Sequence, residues 1–379
     1  MIVDWLCYLF FSVACLGCVY LLLAAVLVIR FRGDPVPSDA KPLPVTILKP
    51  LHGEGPRVYA CLASFCKQRY AAPVQIIFGV EDLADPAVSL VSRLQAEFPD
   101  RRIELEIDAH PHGGNRKVSN LANMAQRAEH DIVILADSDI EVDADYLSRL
   151  AGALQQPGVG AVTCVYHGVP GRDAWTRLSA LAINAQFLPN VVVGATCGIA
   201  RPCFGATIAM RREMLARIGG LEQFAEALAD DYAIGEAVRA RGAKVAISPA
   251  SVGHLWPDET AGELWAHEVR WARTIRSIDP LGHFGSILSH PFPLALLAAM
   301  VGSTAGLAVA ALALLCRLAV LKSVERRFGL GAQPYWLVPF RDLLSFAIFI
   351  WSLLGTGVSW SGRAFHVTPR GTLVRRTML

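Results

Sequence analysis

Apolar and polar positions divide the chain into an apolar start, a long mixed middle part and an apolar end. Residues 5–29 contain no charged side chain, a length that predicts a tilted helix across a bilayer. Asp4 precedes this run where a secretory signal would have basic residues, so we expect an anchor over residues 1–32. Arg30 and Arg32 follow at once and predict that the downstream chain is cytoplasmic.

The middle part follows a Pro-rich link at residues 34–44 and alternates short apolar runs with helix-like stretches. This alternation predicts an α/β domain over residues 41–260, with a mainly parallel sheet covered by helices on both faces. The predicted strands are 45–48, 74–80, 103–107, 132–136, 159–165, 204–210 and 244–247.

Polar residues follow three of these strands. Lys49-Pro-Leu51, residues 81–85 and Asp137-Ser-Asp139 all stand at predicted strand ends. The carboxyl ends of parallel strands meet at one edge of a sheet, where α/β proteins bind ligands. We therefore expect a crevice for a nucleotide sugar at this edge. Two carboxylates spaced as Asp137 and Asp139 can share a Mg²⁺ or Mn²⁺ ion, which prefers oxygen ligands and bridges to phosphate.

An Asp-x-Asp triplet is weak evidence alone, because it also occurs in solvated turns. A second triplet, Asp143-Ala-Asp145, begins a helix-like stretch over residues 144–154, and we interpret it as helix capping. Another polar segment, residues 113–120, joins a Gly-rich loop to a helix start. Lys117 in this segment is suited to phosphate or ribose contacts, and a solvated surface charge is the alternative.

Composition narrows the class of protein. A hydrophobic content of 53% and a mean hydropathy of +0.40 are high for a soluble chain and favour membrane segments. The 35 basic residues are nearly balanced by 33 acidic ones, so we expect no nucleic-acid partner. No GxGxxG or GxxxxGK[ST] motif occurs, which argues against dinucleotide and P-loop sites. Several of the nine Cys stand in apolar runs, which indicates a reduced compartment with the thiols in the core.

The last third of the chain predicts further membrane segments. Residues 262–275 mix Trp and Arg on a helical pattern, typical of a helix at the membrane surface within 261–283 or of a core helix with a charged outer face. Residues 284–321 are too long for one span, so a turn at 302–306 would make a hairpin of two short spans. A basic loop at 322–341 would follow.

Residues 343–360 either span the membrane or re-enter it. With this last segment, the predicted membrane region covers residues 284–362. The basic tail, residues 363–379, favours re-entry.

Five motifs occur in an order that resembles the ceramide glucosyltransferase-like family of inverting GT-A glycosyltransferases. They are Val45-Thr-Ile-Leu-Lys-Pro-Leu-His-Gly53, Asp85-Pro86, Asp137-Ser-Asp139, Ala229-Asp-Asp-Tyr232 and His267-Glu-Val-Arg-Trp271. The resemblance covers about residues 1–370. His267 and the tail Ser361-Gly-Arg-Ala-Phe-His-Val367 look most like the bacterial branch that glycosylates hopanoid lipids.

The resemblance implies a role for each matched residue. Asp231 would be the general base, although a helix N-cap is the alternative for an acid at a helix start. His267 departs from the family's Gln or Arg, so its role is open. The implied donor-binding residues are Asp82, Asp85, Lys117, Asp137, Arg270 and Trp271, and the implied metal ligands are Asp137 and Asp139.

The implied activity is transfer of GlcNAc or glucose from a UDP-sugar to a lipid hydroxyl, with a hopanoid polyol as first acceptor and ceramide as second. The implied cofactor is Mg²⁺ or Mn²⁺. We expect a multi-pass protein of the inner membrane with a cytoplasmic catalytic domain. A processive polysaccharide synthase and a receptor or scaffold with an inactive sugar-nucleotide domain are the rival interpretations.

Overall fold

A computed structural model describes residues 2–53, 57–255, 260–355, 357–360, 363–367 and 373–375. The strands are β1 (Val45–Pro50), β2 (Val74–Val80), β3 (Arg102–Ile107), β4 (Ile132–Ala136), β5 (Ile140–Glu141), β6 (Val159–Val169), β7 (Thr207–Arg211), β8 (Lys244–Leu255), β9 (Gly357–Trp360), β10 (Arg363–Val367) and β11 (Leu373–Arg375).

The α-helices are α1 (Ile2–Arg30), α2 (Val58–Cys66), α3 (Ala87–Glu97), α4 (Arg116–Ala125), α5 (Tyr146–Ala153), α6 (Ala174–Ala182), α7 (Leu188–Thr196), α8 (Arg212–Arg217), α9 (Asp230–Ala240), α10 (Ala261–Ile278), α11 (Pro280–Gly285), α12 (Pro291–Met300), α13 (Gly306–Phe328) and α14 (Val338–Ser352). A π-helix, Ile183–Phe187, joins α6 to α7. Short 3₁₀ helices occupy Glu222–Phe224, Ser286–Ser289 and Tyr335–Leu337.

The chain forms two units. The sheet unit contains residues 32–166 and 202–257, and the helical unit contains residues 2–31, 167–201 and the described residues from 260 onward. Residues 167–201 fall inside the predicted α/β domain of residues 41–260, but they belong to the helical unit.

The main sheet has the order β3-β2-β1-β4-β7-β6-β8-β5. Strands β3, β2, β1 and β4 are parallel, with Val45 opposite both Val74 and Ile132. Strand β7 is antiparallel to β4 and β6, and β5 is antiparallel to β8. The α/β class is confirmed, and the sheet is mixed, because β7 and β5 run antiparallel to their neighbours. Apolar runs indicate buried strands without indicating their direction.

Two strand predictions match the structure, at 74–80 and 132–136, and others differ at their ends. Strands β6 and β8 run to Val169 and Leu255, beyond their predicted ends. Strand β7 begins at Thr207 instead of 204, because the Phe204 N–H donates to the Thr163 hydroxyl (2.9 Å) outside the strand ladder.

The capping interpretation of the second acid pair is wrong. Asp145 is the residue before α5, but its side chain makes no capping hydrogen bond. It pairs with Arg69 at the surface instead (Nη2–Oδ1 3.1 Å).

Helix α4 packs on the parallel half of the sheet. Val118 and Leu121 are buried against a cluster that includes Leu48 and Ile77. Each such aliphatic side chain contributes about 1.5–3 kcal/mol by burial. The Asn120 amide also donates to the Gly79 carbonyl at the end of β2 (2.8 Å). These contacts fix the first turn of α4 beside the strand ends.

Among the described residues, three helical segments of the helical unit are long and apolar enough to cross a membrane: Ile2–Arg30, Ala174–Thr196 and Gly306–Phe328. The first confirms the predicted N-terminal helix. The second was not predicted, because Arg177, Asn184 and Gln186 break its apolar run.

The predicted C-terminal hairpin is only partly correct. Its first arm, α12, has 10 residues and a length of about 15 Å, too short to cross a bilayer. Its second arm, α13, continues to Phe328 and ends at Gly329, whose φ of 67° suits a left-handed cap. The predicted basic loop at 322–341 is therefore helical up to 328.

The last predicted membrane segment, 343–360, is also revised. Helix α14 has 15 residues and ends at Ser352, and residues 357–360 form strand β9 of a small antiparallel sheet. Part of the predicted basic tail lies outside the described residues.

Helix α10 confirms the predicted helix at 262–275. It begins with a capping box in which Thr260 and Glu263 exchange hydrogen bonds.

A buried ion pair links four segments of the helical unit. Arg317 of α13 pairs with Asp342 of α14 (Nε–Oδ1 3.1 Å), and both side chains are almost fully buried. The same guanidinium donates to the carbonyl of Ala185 in the π-helix (2.6 Å) and to that of Ser289. A charge in an apolar helix is costly unless it is paired, so this pair determines how the helices pack.

We predict that Asp342→Ala lowers the free energy of unfolding by about 3–5 kcal/mol, because it leaves the Arg317 charge buried and unpaired. Thermal unfolding in detergent measures the change. Asp131→Asn, which breaks an exposed pair with Arg211, is the control and should cost under about 1 kcal/mol. The double variant Arg317→Leu/Asp342→Leu should be more stable than Asp342→Ala. Equal losses from Asp342→Ala and Asp131→Asn would contradict this account.

Candidate active site

The acid pair lies directly after β4, as the apolar run predicts. Strand β1 runs parallel to β4 and brings Lys49 beside it. The Lys49 ammonium donates to the Asp137 carbonyl oxygen (2.7 Å) and lies 3.6 Å from the centre of the Phe65 ring. Burial lowers the pKa of Lys49 to about 8. A fully buried lysine thus holds the backbone of the acid pair in place.

Lys117 lies in the first turn of α4 and faces the acids. Its ammonium is 2.6 Å from Asp137 Oδ1 and 3.6 Å from Asp230 Oδ2. Burial would lower the pKa of Lys117, but the carboxylates of Asp137 and Asp230 outweigh it and hold the pKa above its ordinary value. The alternative of a solvated surface charge is wrong. Lys117 is the positive centre of a carboxylate cluster.

Asp231 lies in the first turn of α9, and the N-cap position belongs to Ala229, so the capping alternative is wrong. Asp231 accepts hydrogen bonds from the N–H groups of Gly205 (2.9 Å) and Tyr232 (2.7 Å). Burial, with help from the Asp230 charge, raises the pKa of Asp231 to about 6. A carboxylate with this pKa is ionised at neutral pH and accepts a proton more readily than an ordinary one.

Gly205 marks the point where these groups meet. A Cβ atom at this position would lie 3.1 Å from the Lys117 ammonium, 3.4 Å from Asp231 Oδ2 and 3.5 Å from Asp137 Oδ2. The segment Cys203-Phe-Gly205 therefore borders the cluster. Glycine keeps open the space between the predicted base and the predicted donor side.

Asp139 and His254 form the other end of the site. His254 Nε2 is 3.5 Å from Asp139 Oδ2, and the His254 ring packs on Tyr166 with centroids 5.4 Å apart. Within the described residues, Asp139 Oδ1 is buried and has no hydrogen-bond donor. A divalent cation would satisfy this oxygen, so the residues present fit Mg²⁺ or Mn²⁺.

Across the described ranges, no group of three or more His, Cys, Asp or Glu side chains has metal-binding geometry. A cation at the acid pair would thus take its other ligands from donor phosphates and water, as Mg²⁺ commonly does.

Asp82 and Asp85, which the resemblance implies bind the donor, lie after β2. The Asp85 carboxylate accepts from the N–H groups of Gly53 (3.0 Å) and Ala87 (2.9 Å), and Asp82 accepts from the Ala84 N–H within a local turn (2.9 Å). Asp85 therefore fixes the loop after β1, whereas Asp82 is exposed. Donor contacts by either residue stay predictions.

Arg270, Trp271 and His267 lie on α10 of the helical unit. The Trp271 ring contacts His267 edge to face (5.4 Å) and Phe187 of the π-helix (6.1 Å). The neighbouring Glu268 binds Arg341 through two hydrogen bonds of 2.8 and 2.7 Å. The implied donor roles of Arg270 and Trp271 stay predictions, and so does any role of His267.

Sequence reasoning missed three residues of the site. The sequence analysis places Lys49 just after a strand predicted to end at residue 48. In the structure it lies inside β1, and a lysine within an apolar strand is a signal of a special role. His254 falls outside the predicted end of β8. Asp230 precedes the predicted base and has no role of its own in the motif, but it contacts Lys117 in the structure.

The chain is similar to known glycosyltransferases in sequence and in fold. The family model described as Glycosyl transferase family 21 matches residues 9–373. Ceramide glucosyltransferase 1 of Caenorhabditis elegans is 25% identical over 205 residues, which cover 54% of this chain and 44% of that protein. Ceramide glucosyltransferase 3 of the same organism is 22% identical over 372 residues, covering 94% of this chain and 80% of that protein. The first match thus spans under half of the relative's length.

A solved structure supports the fold. A mannosyltransferase from Pyrobaculum calidifontis, determined in complex with GDP-Man and Mn²⁺, superposes with a TM-score of 0.57 at 20% identity and covers 93% of this chain and 99% of its own. This likeness confirms the GT-A type of fold predicted from the motifs. With a family match over almost the whole chain, the sequence motifs and the acid cluster lead to one assignment: the chain belongs to glycosyl transferase family 21.

Proposed function

We propose that this protein is a membrane-associated inverting glycosyltransferase that moves a sugar from a UDP-sugar to a lipid hydroxyl. The observation that carries the proposal is the Asp231 carboxylate, which two backbone N–H groups orient beside the Lys117 and Asp137 pair. A base and a cation-bearing acid cluster are the two parts that such a transfer needs.

The chemistry assigns a separate task to each part. The acceptor hydroxyl loses its proton to Asp231 as its oxygen bonds to the sugar carbon, and the bond from that carbon to the diphosphate breaks on the opposite side. Negative charge moves to the leaving diphosphate, and the Lys117 ammonium is placed to offset it. We also propose Arg270 as a donor-binding residue, since a guanidinium can pair with phosphate through two hydrogen bonds.

Asp137 and Asp139 would hold a divalent cation. His254 lies beside Asp139. When bound, Mg²⁺ or Mn²⁺ would neutralise charge on the donor diphosphate. The buried Asp139 oxygen without a donor supports this assignment. The mannosyltransferase with the same type of fold was solved with Mn²⁺.

The lipid acceptor is inferred from two observations. The relatives above are ceramide glucosyltransferases, and three helical segments of this chain are long and apolar enough to cross a membrane. A lipid hydroxyl leaves the bilayer only at a cost of about 0.8 kcal/mol per exposed CH₂, so the enzyme has to work at the membrane surface. The hopanoid-like tail favours a hopanoid polyol, with bacteriohopanetetrol first and ceramide second.

We propose the inner membrane as its location, with the sheet unit in the cytoplasm where nucleotide sugars are made. Arg30 at the end of α1, Arg32 just after it and the basic end of α13 support this orientation. A processive synthase is the less favoured rival, because the three candidate spans found in the described part of the chain leave little for a channel. The ordered acid cluster argues against an inactive receptor or scaffold.

The experiment that tests the proposed function offers purified enzyme labelled UDP-GlcNAc and UDP-glucose with bacteriohopanetetrol, ceramide or a soluble sugar. We expect one donor to be transferred to a lipid, with UDP-GlcNAc and the hopanoid polyol preferred. Transfer to the soluble sugar alone, with neither lipid glycosylated, would contradict the lipid-acceptor proposal. Lengthening of a soluble sugar chain would favour the processive rival.

The metal proposal predicts that Asp139→Asn lowers turnover and raises the Mg²⁺ or Mn²⁺ concentration needed for half-maximal activity, because one charged ligand is lost. We expect a loss of at least about tenfold, since the cation offsets charge in the transition state. Asp145→Asn changes the other acid pair and serves as the matched control. A metal requirement that is unchanged in Asp139→Asn would remove this residue from the metal site.

The base proposal predicts a pH dependence. The pKa of Asp231 is raised to about 6, so its carboxylate is ionised above that pH and protonated below it. Turnover should therefore fall as the pH decreases through about 6, whereas an ordinary carboxylate would stay ionised to about 4. Asp231→Asn should abolish turnover and leave UDP binding nearly intact by calorimetry. Constant turnover down to about pH 4.5, or equal loss of UDP binding, would reassign Asp231.

A further inference from the structure

Asn115 lies at the junction between the two segments that carry Lys117 and Asp231. Its side chain is fully buried and caps α4, because Oδ1 accepts from the Val118 N–H (3.1 Å). Capping uses only one of its polar atoms. The amide group points away from α4, toward the loop before α9.

The Asn115 Nδ2 group donates to the loop before α9 and to the first residue of α9. Nδ2 donates to the Ala227 carbonyl (2.9 Å) and to Asp230 Oδ1 (3.3 Å). The Asn115 backbone N–H also donates to the Ala225 carbonyl (2.7 Å). One residue thus joins the start of α4 to the chain immediately before Asp231.

The two neighbouring glycines allow this contact. A Cβ atom at Gly113 would lie 2.7 Å from the Ala225 carbonyl oxygen, so the loops approach too closely for a larger residue. The Gly114 N–H donates to the Glu226 carboxylate (3.1 Å). The glycines of this loop therefore serve loop–loop packing in addition to any phosphate contact.

Asn115 and Lys117, at the start of α4, both contact the Asp230 carboxylate. Asn115 binds its Oδ1 atom, and the Lys117 ammonium lies 3.6 Å from its Oδ2 atom. Asp231 follows directly and is held by Gly205. The position of the base relative to Lys117 is therefore set through Asp230, by one hydrogen bond and one ion pair.

We propose that Asn115 is a positioning residue that fixes the distance between the donor-side cation Lys117 and the base Asp231. This inference rests on the proposed function. The residue must be a neutral amide. A carboxylate here would cap α4 equally well but would face Asp230 with a like charge. A serine would also cap α4 but would not reach Ala227 or Asp230 as a donor.

The test compares two variants that keep the helix cap, Asn115→Ser and Asn115→Asp, by turnover per folded enzyme, donor KM and thermal unfolding midpoint. We expect Asn115→Ser to lower kcat about tenfold to a hundredfold, the loss typical of a displacement near 1 Å, with donor KM changed less than about threefold. Asn115→Asp should lose more. The matched control is Asp173→Ser, which alters the N-cap of α6 and should leave kcat unchanged.

A third variant separates positioning from folding. Asn115→Asp/Asp230→Asn exchanges amide and carboxylate and restores one hydrogen bond without the charge repulsion. We expect its kcat to exceed that of Asn115→Asp. If Asn115→Asp does not fold, Asn115→Ser alone decides.

Wild-type kcat in Asn115→Ser with a lowered unfolding midpoint would reduce Asn115 to a helix cap and overturn the inference. No recovery in the exchange variant, where Asn115→Asp folds, would also overturn it. These outcomes presuppose that the wild-type enzyme transfers sugar to a lipid; if it transfers to none, the proposed function fails first.

Discussion

The Lys117 ammonium is the charge on which the candidate site depends. It lies among Asp137, Asp230 and Asp231, and carboxylates this close would repel one another strongly if no cation stood between them. Lys117 balances part of this negative charge, and a divalent cation would balance more of it. Burial and the Asp230 charge raise the pKa of Asp231 to about 6, and Lys117 limits the rise, so this carboxylate is ionised at neutral pH and still basic enough to accept a proton.

Holding this cluster requires support that is itself buried. Lys49 fixes the backbone of the acid pair from β1, Gly205 donates its N–H to Asp231, and Asn115 joins the first turns of α4 and α9. Each of these contacts is made by a residue with little freedom to move, because burial and packing around the sheet hold it in place. The helical unit also holds buried charges in place, because Arg317 and Asp342 form an ion pair between its helices.

Much of this arrangement could be predicted from the sequence. Strand β4 and the acids after it are clear because a short apolar run ends in charge, and the order of the five motifs is enough to indicate the family. The N-terminal helix is equally clear, since 25 uncharged residues have few other interpretations.

Other features depend on contacts that sequence patterns do not encode. The direction of β7 is invisible to apolar periodicity. The segment Ala174–Thr196 is interrupted by Asn184, which the structure satisfies through the Gly168 backbone and Gln333. Whether Lys117 lies at the surface or inside a cluster is decided by residues more than a hundred positions away, as Asp230 shows. The Asp145 side chain of the second acid pair binds Arg69 and makes no hydrogen bond to the start of α5.

The central claim, that the Asp231 cluster glycosylates a membrane lipid, is tested most directly in cells. Lipids would be compared by mass spectrometry in cells that lack the gene and in cells complemented with the wild-type protein or with Asp231→Asn. The account predicts a lipid heavier by one hexose or N-acetylhexosamine that disappears with the gene, returns with the wild-type protein and does not return with the variant. Identical lipid profiles in all of these cells would contradict it.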